Sequence, residues 1–540
     1  MQKNITIKVL PSEAADPDKL TTVLAQACTV SPSTITGYKI QRQSIDARSR
    51  KQVWIQLTVN VFINEPFQQT EPVLLQLQDV HAAKNNVIVI GAGPAGLFAA
   101  MRLIELGIKP IVLERGKDVR ARRRDLAAIN KEGVMNDESN YCFGEGGAGT
   151  YSDGKLYTRS TKRGDVARIL HALVQFGADE KITYVAHPHI GTNKLPHIIT
   201  AIREKIIACG GEVIFEKKVT DLVLDGVTVK GVVVNGDEKR LADAVILATG
   251  HSARDIFELL HAKKIEIFFK PFALGVRVEH PQTVIDTIQY HLAPGPSTAK
   301  PDRGVSGTPT ALRGEYLPPA SYSLVEQVDG KGVFSFCMCP GGIIAPAATA
   351  QGEIVVNGWS PSKRNNPYAN SGIVVTVDES NIQAFKQYGP LAGMYFQQSI
   401  EQKAFAAGGG SLVAPAQRLV DFASNKLSSS LPANSYLPGL HSASLKYVLP
   451  PFVHQALQVA FKEWGKRMRG YFTNDAVVVA TESRTSSPVR IPRDETLQHP
   501  QVKNLYPCGE GAGYAGGIVS AAMDGERVAD AIAISIGKRQ

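Results

Sequence analysis

The residues best placed to do chemistry lie in the run Val87-Ile88-Val89-Ile90-Gly91-Ala92-Gly93-Pro94-Ala95-Gly96-Leu97, an apolar stretch that turns through three spaced glycines. Such a turn suits the pyrophosphate of a dinucleotide. Gly91 permits the tight bend, Gly93 lets the backbone approach the phosphates, and Gly96 lets the following helix pack closely on the strand. The helix opening at Pro94 and Ala95 would present free N–H groups and the positive end of its dipole to the anion. A second apolar run, Pro110 to Leu113, ends in Glu114, eighteen residues beyond Gly96, near the offset at which a carboxylate accepts hydrogen bonds from an adenosine ribose. A glycine-rich turn with no ligand is the plain alternative. Arg115 could meet a 2′-phosphate, although the carboxylate beside it disfavours one.

Three further groups carry reactive side chains. Cys337 and Cys339 share one face of a strand read over Val333 to Cys339, but an extended strand puts their Cα atoms about 6.6 Å apart with parallel Cβ vectors, poor geometry for a disulfide. That leaves Cys339, beside the Pro340-Gly341-Gly342 bend, as a single reactive thiol or as a packed, inert one. Arg484 and Arg490 flank a Thr-Ser-Ser-Pro turn, where they could grip a carboxylate or phosphate bidentately or seal a domain junction. His251 suits cofactor support or packing better than general-base work.

The elements that must position these groups form three expected domains. Length alone, 540 residues, exceeds one ordinary core. Residues 1–82 read as a small α+β, ferredoxin-like domain: Ile5, Ile7 and Val9 alternate with polar neighbours, Asp16-Pro17 starts a helix to about Cys28, and Val53 to Ile63 alternates as a long half-buried strand. Residues 83–255 and 475–540 read as a Rossmann-like α/β domain, with the apolar strand Asp243 to Leu247 suited to a parallel sheet. Residues 256–474 read as an inserted antiparallel, β-rich domain that supplies substrate contacts.

Composition narrows the class. Apolar content of 44% with 20% charged residues is globular, and no apolar run approaches the ~20 residues needed to span a bilayer. With no signal-peptide core at the amino terminus, a cytoplasmic protein is expected. The six cysteines contain no C-x-x-C pair, so neither a zinc site nor a dithiol of that spacing is indicated, and no metal is assigned. A net charge of +9 permits nucleic-acid binding without arguing for it. The densest basic run, Arg115 to Arg124, reads as a solvated helix face more readily than as a polyanion site. Oligomeric state is not legible.

Four separated segments converge on one ligand: Gly91 to Gly96 with Glu114; the loop Phe143 to Leu156, containing Gly146, Gly147, Ala148 and Ser152; Ala248-Thr249-Gly250; and Leu505 to Ile518. Together they resemble the signatures of the glutathione-reductase-type FAD superfamily. More narrowly, the SDGKL loop, Ala248 to Asp255, Ser335 to Gly342 and Arg484 to Arg490 resemble a bacterial family described only as FAD-dependent dehydrogenases. The resemblance implies FAD as cofactor, with Glu114 on the adenosine ribose and the Val219 backbone near the adenine. It puts Gly509 and Glu510 at the ribityl-binding motif, where most relatives carry aspartate, and Gly516, Gly517 and Ile518 at a helix start facing the flavin pyrimidine. It also puts Lys155 and Asp153 near the isoalloxazine, where the lysine could stabilise reduced flavin or an anionic substrate, or simply pair with an acid. Only one dinucleotide fingerprint is present, so NAD(P)H would be a transient reductant that visits the flavin directly, or unnecessary.

The candidate catalytic set is therefore Lys155, Cys339 and Arg484. The expected function is hydride transfer between an unidentified small organic substrate and flavin N5. A flavin-dependent RNA-modifying or RNA-binding protein, and a protein with structural FAD, are the alternatives.

Overall fold

Val87 to Ile90 is apolar on both faces of its strand, and both faces are buried. That pattern belongs inside a parallel sheet covered by helices. The computed structural model, which describes residues 1–68, 74–158, 164–292 and 313–537, places it there. Five parallel strands run in the order Leu505–Pro507, Ala244–Leu247, Asn86–Ile90, Lys109–Leu113 and Glu212–Ile214. Helix Pro94–Glu105 follows the central strand, has proline in its first turn, and packs against the C-terminal helix Ile518–Ser535. Three antiparallel strands, Val219–Asp225, Thr228–Val234 and Glu238–Leu241, form a separate small sheet that falls in sequence between the fifth and second of these parallel strands.

Gly96 sets the distance between helix and strand. A β-carbon there would fall 1.9 Å from the Gly91 carbonyl oxygen and 3.2 Å from Val89 Cγ1. The backbone oxygen belongs to the bend itself and has nowhere to retreat. Gly96→Ala is therefore expected to lower stability by about 1–3 kcal/mol, the usual range for overpacking. Thermal unfolding measures it, and an unchanged midpoint would contradict the close approach.

The larger sheet has seven strands, in the order Val325–Val328, Lys331–Cys339, Tyr368–Val377, Phe272–Pro281, Val477–Glu482, Ala414–Arg418 and Leu440–Ser442. All neighbours are antiparallel except the last pair. Helix Pro451–Arg467 covers it, with Phe461 and Trp464 buried in a core that also contains Val276, Val278, Ile373 and Val478. The chain does not return to the first sheet at 475, as its sequence suggested. Val477–Glu482 pairs with Phe272–Pro281 and Ala414–Arg418 instead. Its wholly buried residues suit a central strand of either sheet, so periodicity could not assign it. The outward and return crossings meet where Phe268–Phe269 pairs with Val489–Arg490.

At the amino terminus, Trp54–Ile63 lies between Gln2–Val9 and Ile35–Asp46 in a three-stranded antiparallel sheet. Asp16 caps helix Pro17–Cys28 by accepting from the amides of Asp18 and Lys19, and the helix buries Leu20, Leu24 and Cys28 against Leu57 and Val59. A ferredoxin-like repeat needs a second helix and a fourth strand. Neither stands between Ile63 and Asn86 among the described residues, so the unit is a three-stranded sheet covered by helix Pro17–Cys28, with one short helical turn at Pro11–Ala14 before it.

No helix of the described residues is long and apolar enough to cross a membrane.

Candidate functional site

A cavity of about 380 Å³ lies where the parallel sheet meets the seven-stranded one. Its walls take residues from each segment singled out in the sequence: Gly91, Gly93, Pro94 and Ala95; Glu114 and Arg115; Gly147, Ala148 and Ser152; Val219; Ala248, Thr249 and Gly250; and Glu510 with Gly516, Gly517 and Ile518. Gly96, Gly146 and Gly509 do not line it. Gly96 faces the strand. At Gly146 a β-carbon would fall 2.0 Å from Thr150 Oγ1, and at Gly509 it would fall 2.9 Å from Ala95 Cβ, so these positions serve packing.

Glu114 does more than face the cavity. It is 5% exposed, its Oε1 accepts from the amides of Gly116 and Gly144, and its Oε2 accepts from the amide of Ala92, each at 2.9 Å. One carboxylate thus ties the glycine turn to the loop that follows Phe143. Arg115 is paired with Glu138 and Asp255 and stacks over Phe143, which leaves it committed to protein carboxylates rather than open to a 2′-phosphate. Arg122 corrects the reading of the basic run as a solvated face. It is fully buried, and its guanidinium donates to the carbonyls of Asn140, Tyr141, Glu145 and Gly147. Two arginines of that run, Arg115 and Arg122, shape the loop; Arg120, Arg123 and Arg124 remain exposed.

The seven-stranded sheet closes the cavity with Phe336 and Cys337. Here the strand is not extended. Its register with Tyr368–Val377 breaks between Phe336 and Cys339, and Cys337 takes a left-handed conformation with φ +46°. The bulge overturns the extended-strand expectation, and Cys339 Sγ donates to the Cys337 carbonyl at 3.2 Å. It also exchanges their roles, because Cys337 lines the cavity while Cys339 is fully buried behind it. Lys155 Nζ lies 3.7 Å from Cys337 Sγ, 3.9 Å from Cys339 Sγ and 3.7 Å from Asp153, and it donates to the Met338 carbonyl. Arg277, buried and paired with Glu482 at 2.7 Å, donates to the Cys337 carbonyl at 2.6 Å and reaches Cys339 Sγ at 3.6 Å.

These neighbours set the charge. The neighbouring Cys339 thiol, whose proton it shares, together with Lys155 and Arg277, holds the Cys337 thiol well below its ordinary value despite burial and Asp153. Sharing that proton, together with burial, pushes Cys339 well up. Burial alone would pull Lys155 down, yet the two sulfurs and Asp153 keep it above its ordinary value.

Comparison with known proteins now bears on this geometry. Residues 271–485 match the family model described as FAD-dependent protein, C-terminal domain-like, and residues 84–135 match an FAD binding domain. Residues 1–62 match a domain of unknown function. An uncharacterized protein of Clostridium beijerinckii is 39% identical over 520 residues, 93% of each chain. The chain belongs to that family of FAD-dependent proteins. A thiamine thiazole synthase of Aeropyrum pernix is 28% identical over 185 residues, 32% of this chain and 56% of that one. The crystal structure of CtdE in complex with FAD is similar at a TM-score of 0.31 and 12% identity, over 84% of this chain and 85% of that one.

The flavoprotein's cavity fits its cofactor. Thr249 Oγ1 and Ser252 Oγ are buried at the wall with no hydrogen-bond partner among the described residues, as suits groups awaiting a polar ligand. No atom lies within 4 Å of where a β-carbon would stand on Gly250 or Gly516, so a bulkier residue there would fill cavity rather than displace protein. The flavoprotein also holds Glu510 beside His251, 3.5 Å from its Nδ1. Asp524, fifteen residues beyond Gly509, accepts from that glycine's amide at 2.8 Å and pairs with Arg493.

Arg484 reaches the cavity wall but is spoken for. Its guanidinium pairs with Glu401 and Glu353 and donates to Thr349, in a buried cluster that Arg254 joins. The cluster ties Ala253-Arg254, beside the parallel sheet, to the strand and helix of the larger one. Arg490 is exposed and lies over Tyr514, away from the cavity. Sequence reasoning missed Arg277, Glu353 and Glu401. Arg277 stands in the alternating strand Phe272 to Val278, where a charged residue among apolar ones was the available signal; Glu353 and Glu401 lie in a loop and a helix with no motif.

A depressed thiol stays ionised as pH falls. Alkylation of Cys337 in the flavoprotein is accordingly expected to show a pH midpoint well below the usual ~8.5 of a free cysteine. Lys155→Met should move that midpoint upward. Iodoacetamide kinetics with peptide mapping read both, and equal midpoints in the two proteins would contradict the assigned role of Lys155.

Proposed function

We propose that the flavoprotein is an oxidoreductase that passes a hydride between a small organic substrate and N5 of FAD, with Lys155 as the charged group of the substrate side. When bound, FAD supplies the two-electron chemistry. The chain supplies position and charge. Gly91, Gly93 and the start of helix Pro94–Glu105 would receive the pyrophosphate; Glu114 Oε2, which accepts one hydrogen bond among the described residues, would serve the adenosine ribose. Gly516, Gly517 and the start of helix Ile518–Ser535 would offset negative charge on the reduced ring. Lys155 would hold an anionic substrate or the same negative charge.

The observation that supports this most strongly is the continuity of the cavity: the glycine turn, Lys155 and Cys337 all line it. The wall contributed by the seven-stranded sheet would help to exclude water from the reacting centre. NAD(P)H would act as a transient reductant, since one dinucleotide turn is already assigned to FAD.

The oxidising half of the cycle offers a direct test. Bound FAD is reduced by light without oxygen, and candidate acceptors are then added. Recovery of the oxidised spectrum with an organic acceptor is expected; a spectrum that stays reduced until oxygen enters would defeat the reading.

A further inference from the structure

A second cavity, of about 1000 Å³, lies outside the cofactor site, between the start of helix Val119–Glu132, the start of helix Leu195–Ala208 and Trp359. We propose that it is the access chamber and head-group site for an elongated organic phosphate monoester, the substrate, whose body reaches the flavin through a throat between the two cavities. Calling that occupant the substrate rests on the oxidoreductase reading of the flavin cavity; the phosphate site itself does not.

The two cavities are joined. A small cavity of about 40 Å³ shares Tyr141, Tyr151 and Trp359 with the outer chamber, and Cys142, Ala148, Ser152, His251, Asn357 and Arg484 with the flavin cavity. At that volume the throat holds a few waters, so whatever spans it is flat or unbranched there. Its aromatic rim is fixed before anything binds. Tyr151 donates to the Val119 carbonyl and Tyr141 accepts from Asn130, each at 2.8 Å, while Arg122 lies over the Tyr151 ring. Rings held in this way offer a planar body apolar contact with little further ordering.

Charge in the outer chamber selects the head group. Arg120 and Arg123, about one turn apart on helix Val119–Glu132, line the chamber and have no carboxylate partner among the described residues. The other charges there are committed. Arg203 pairs with Glu145 at 2.9 Å, with Glu204 4.0 Å away on its other side, and Asp118 caps its own helix by accepting from the amides of Arg120 and Ala121. Helix Leu195–Ala208 has no side-chain cap at its start, and His197 of its first turn lines the chamber, so the positive end of its dipole adds to the two guanidiniums. Such a set matches a doubly charged phosphate better than a single carboxylate. At the flavin cavity, by contrast, Arg115 and Arg484 are paired with protein carboxylates.

The test uses the FAD-loaded protein with 2-naphthyl phosphate as probe. Titration calorimetry reads binding, and alkylation of Cys142, whose sulfur is directed to the Ala347 carbonyl in the throat, reads location. Labelling of Cys142 by N-ethylmaleimide, mapped by mass, is expected to slow as the probe saturates. The double variant Arg120→Gln/Arg123→Gln, changed at exposed positions, should keep its FAD and bind the probe roughly tenfold or more weakly. For the parent, 2-naphthoate should bind more weakly than the phosphate, and it should lose less in the double variant. An affinity for 2-naphthyl phosphate that the double variant leaves intact, equal affinities for the two probes, or a Cys142 that never labels or labels at the same rate with the probe bound would overturn the proposal. Anaerobic bleaching of the flavin by hydride donors reports the oxidoreductase reading separately. If the probe binds and shields Cys142 while no donor bleaches the flavin, the phosphate site stands and that reading falls; if donors bleach the flavin while the probe does not bind, the reading stands and the phosphate site falls.

Discussion

Glu401→Ala is expected to destabilise the flavoprotein by about 3–5 kcal/mol, the cost of leaving buried charges without their partner. Glu401 is fully buried, and its carboxylate pairs with both Arg484 and Arg254 and accepts from Ser483. Removing it strands two guanidiniums with only Glu353 between them. Burial alone would raise its pKa, yet the two arginines hold it well below the ordinary carboxylate value. The sign of the pH dependence follows. A depressed carboxylate contributes stability that is complete above its unfolded value near 4.5 and is lost as pH falls below that. Urea unfolding at pH 7 should therefore show a large loss for Glu401→Ala, and the gap between variant and parent should hold down to about pH 4.5 and narrow only below it. A loss below about 1 kcal/mol would mean that the cluster is solvated and does not brace the junction.

Lys155→Met should lower turnover by roughly 10²- to 10³-fold, the usual cost of removing one preorganised charge from a developing anion. Methionine keeps the length of the stem and removes the ammonium. FAD content should hold, because Lys155 belongs to the wall shared with Cys337 and is not part of the glycine turn or the Glu114 tether. Absorbance at saturation measures the cofactor, and initial rates measure turnover. Loss of FAD together with activity would place Lys155 in the cofactor cradle, and turnover within about threefold of the parent would remove it from the reacting centre.

What could be read in advance was local. The turn Gly91–Gly96, the strand Val87–Ile90 and the carboxylate of Glu114 announce themselves because each depends on neighbours within a few residues and on a fixed spacing. The half-buried strand Trp54–Ile63 is legible for the same reason, through its period of two. The reactive wall is not local. Cys337, not Cys339, reaches the cavity at a break in strand register where Arg277, sixty residues away in sequence, ties down the Cys337 carbonyl, and an ideal strand spacing points to the wrong cysteine. Arg484 could grip a ligand or seal the junction until its partners Glu353 and Glu401, from distant elements, are known. Val477–Glu482, buried throughout, fits a parallel or an antiparallel sheet until its partners are known.

The central claim is that one cavity brings FAD together with a substrate-facing wall built around Lys155. Anaerobic titration of the FAD-loaded protein with NADH, NADPH and pooled organic donors tests it most directly, with the oxidised flavin absorbance as the readout. Stoichiometric bleaching by at least one donor is expected in the parent, and slowed bleaching of the same flavin in Lys155→Met. A bound flavin that no donor bleaches, or one bleached at the same rate with and without the lysine, would contradict it.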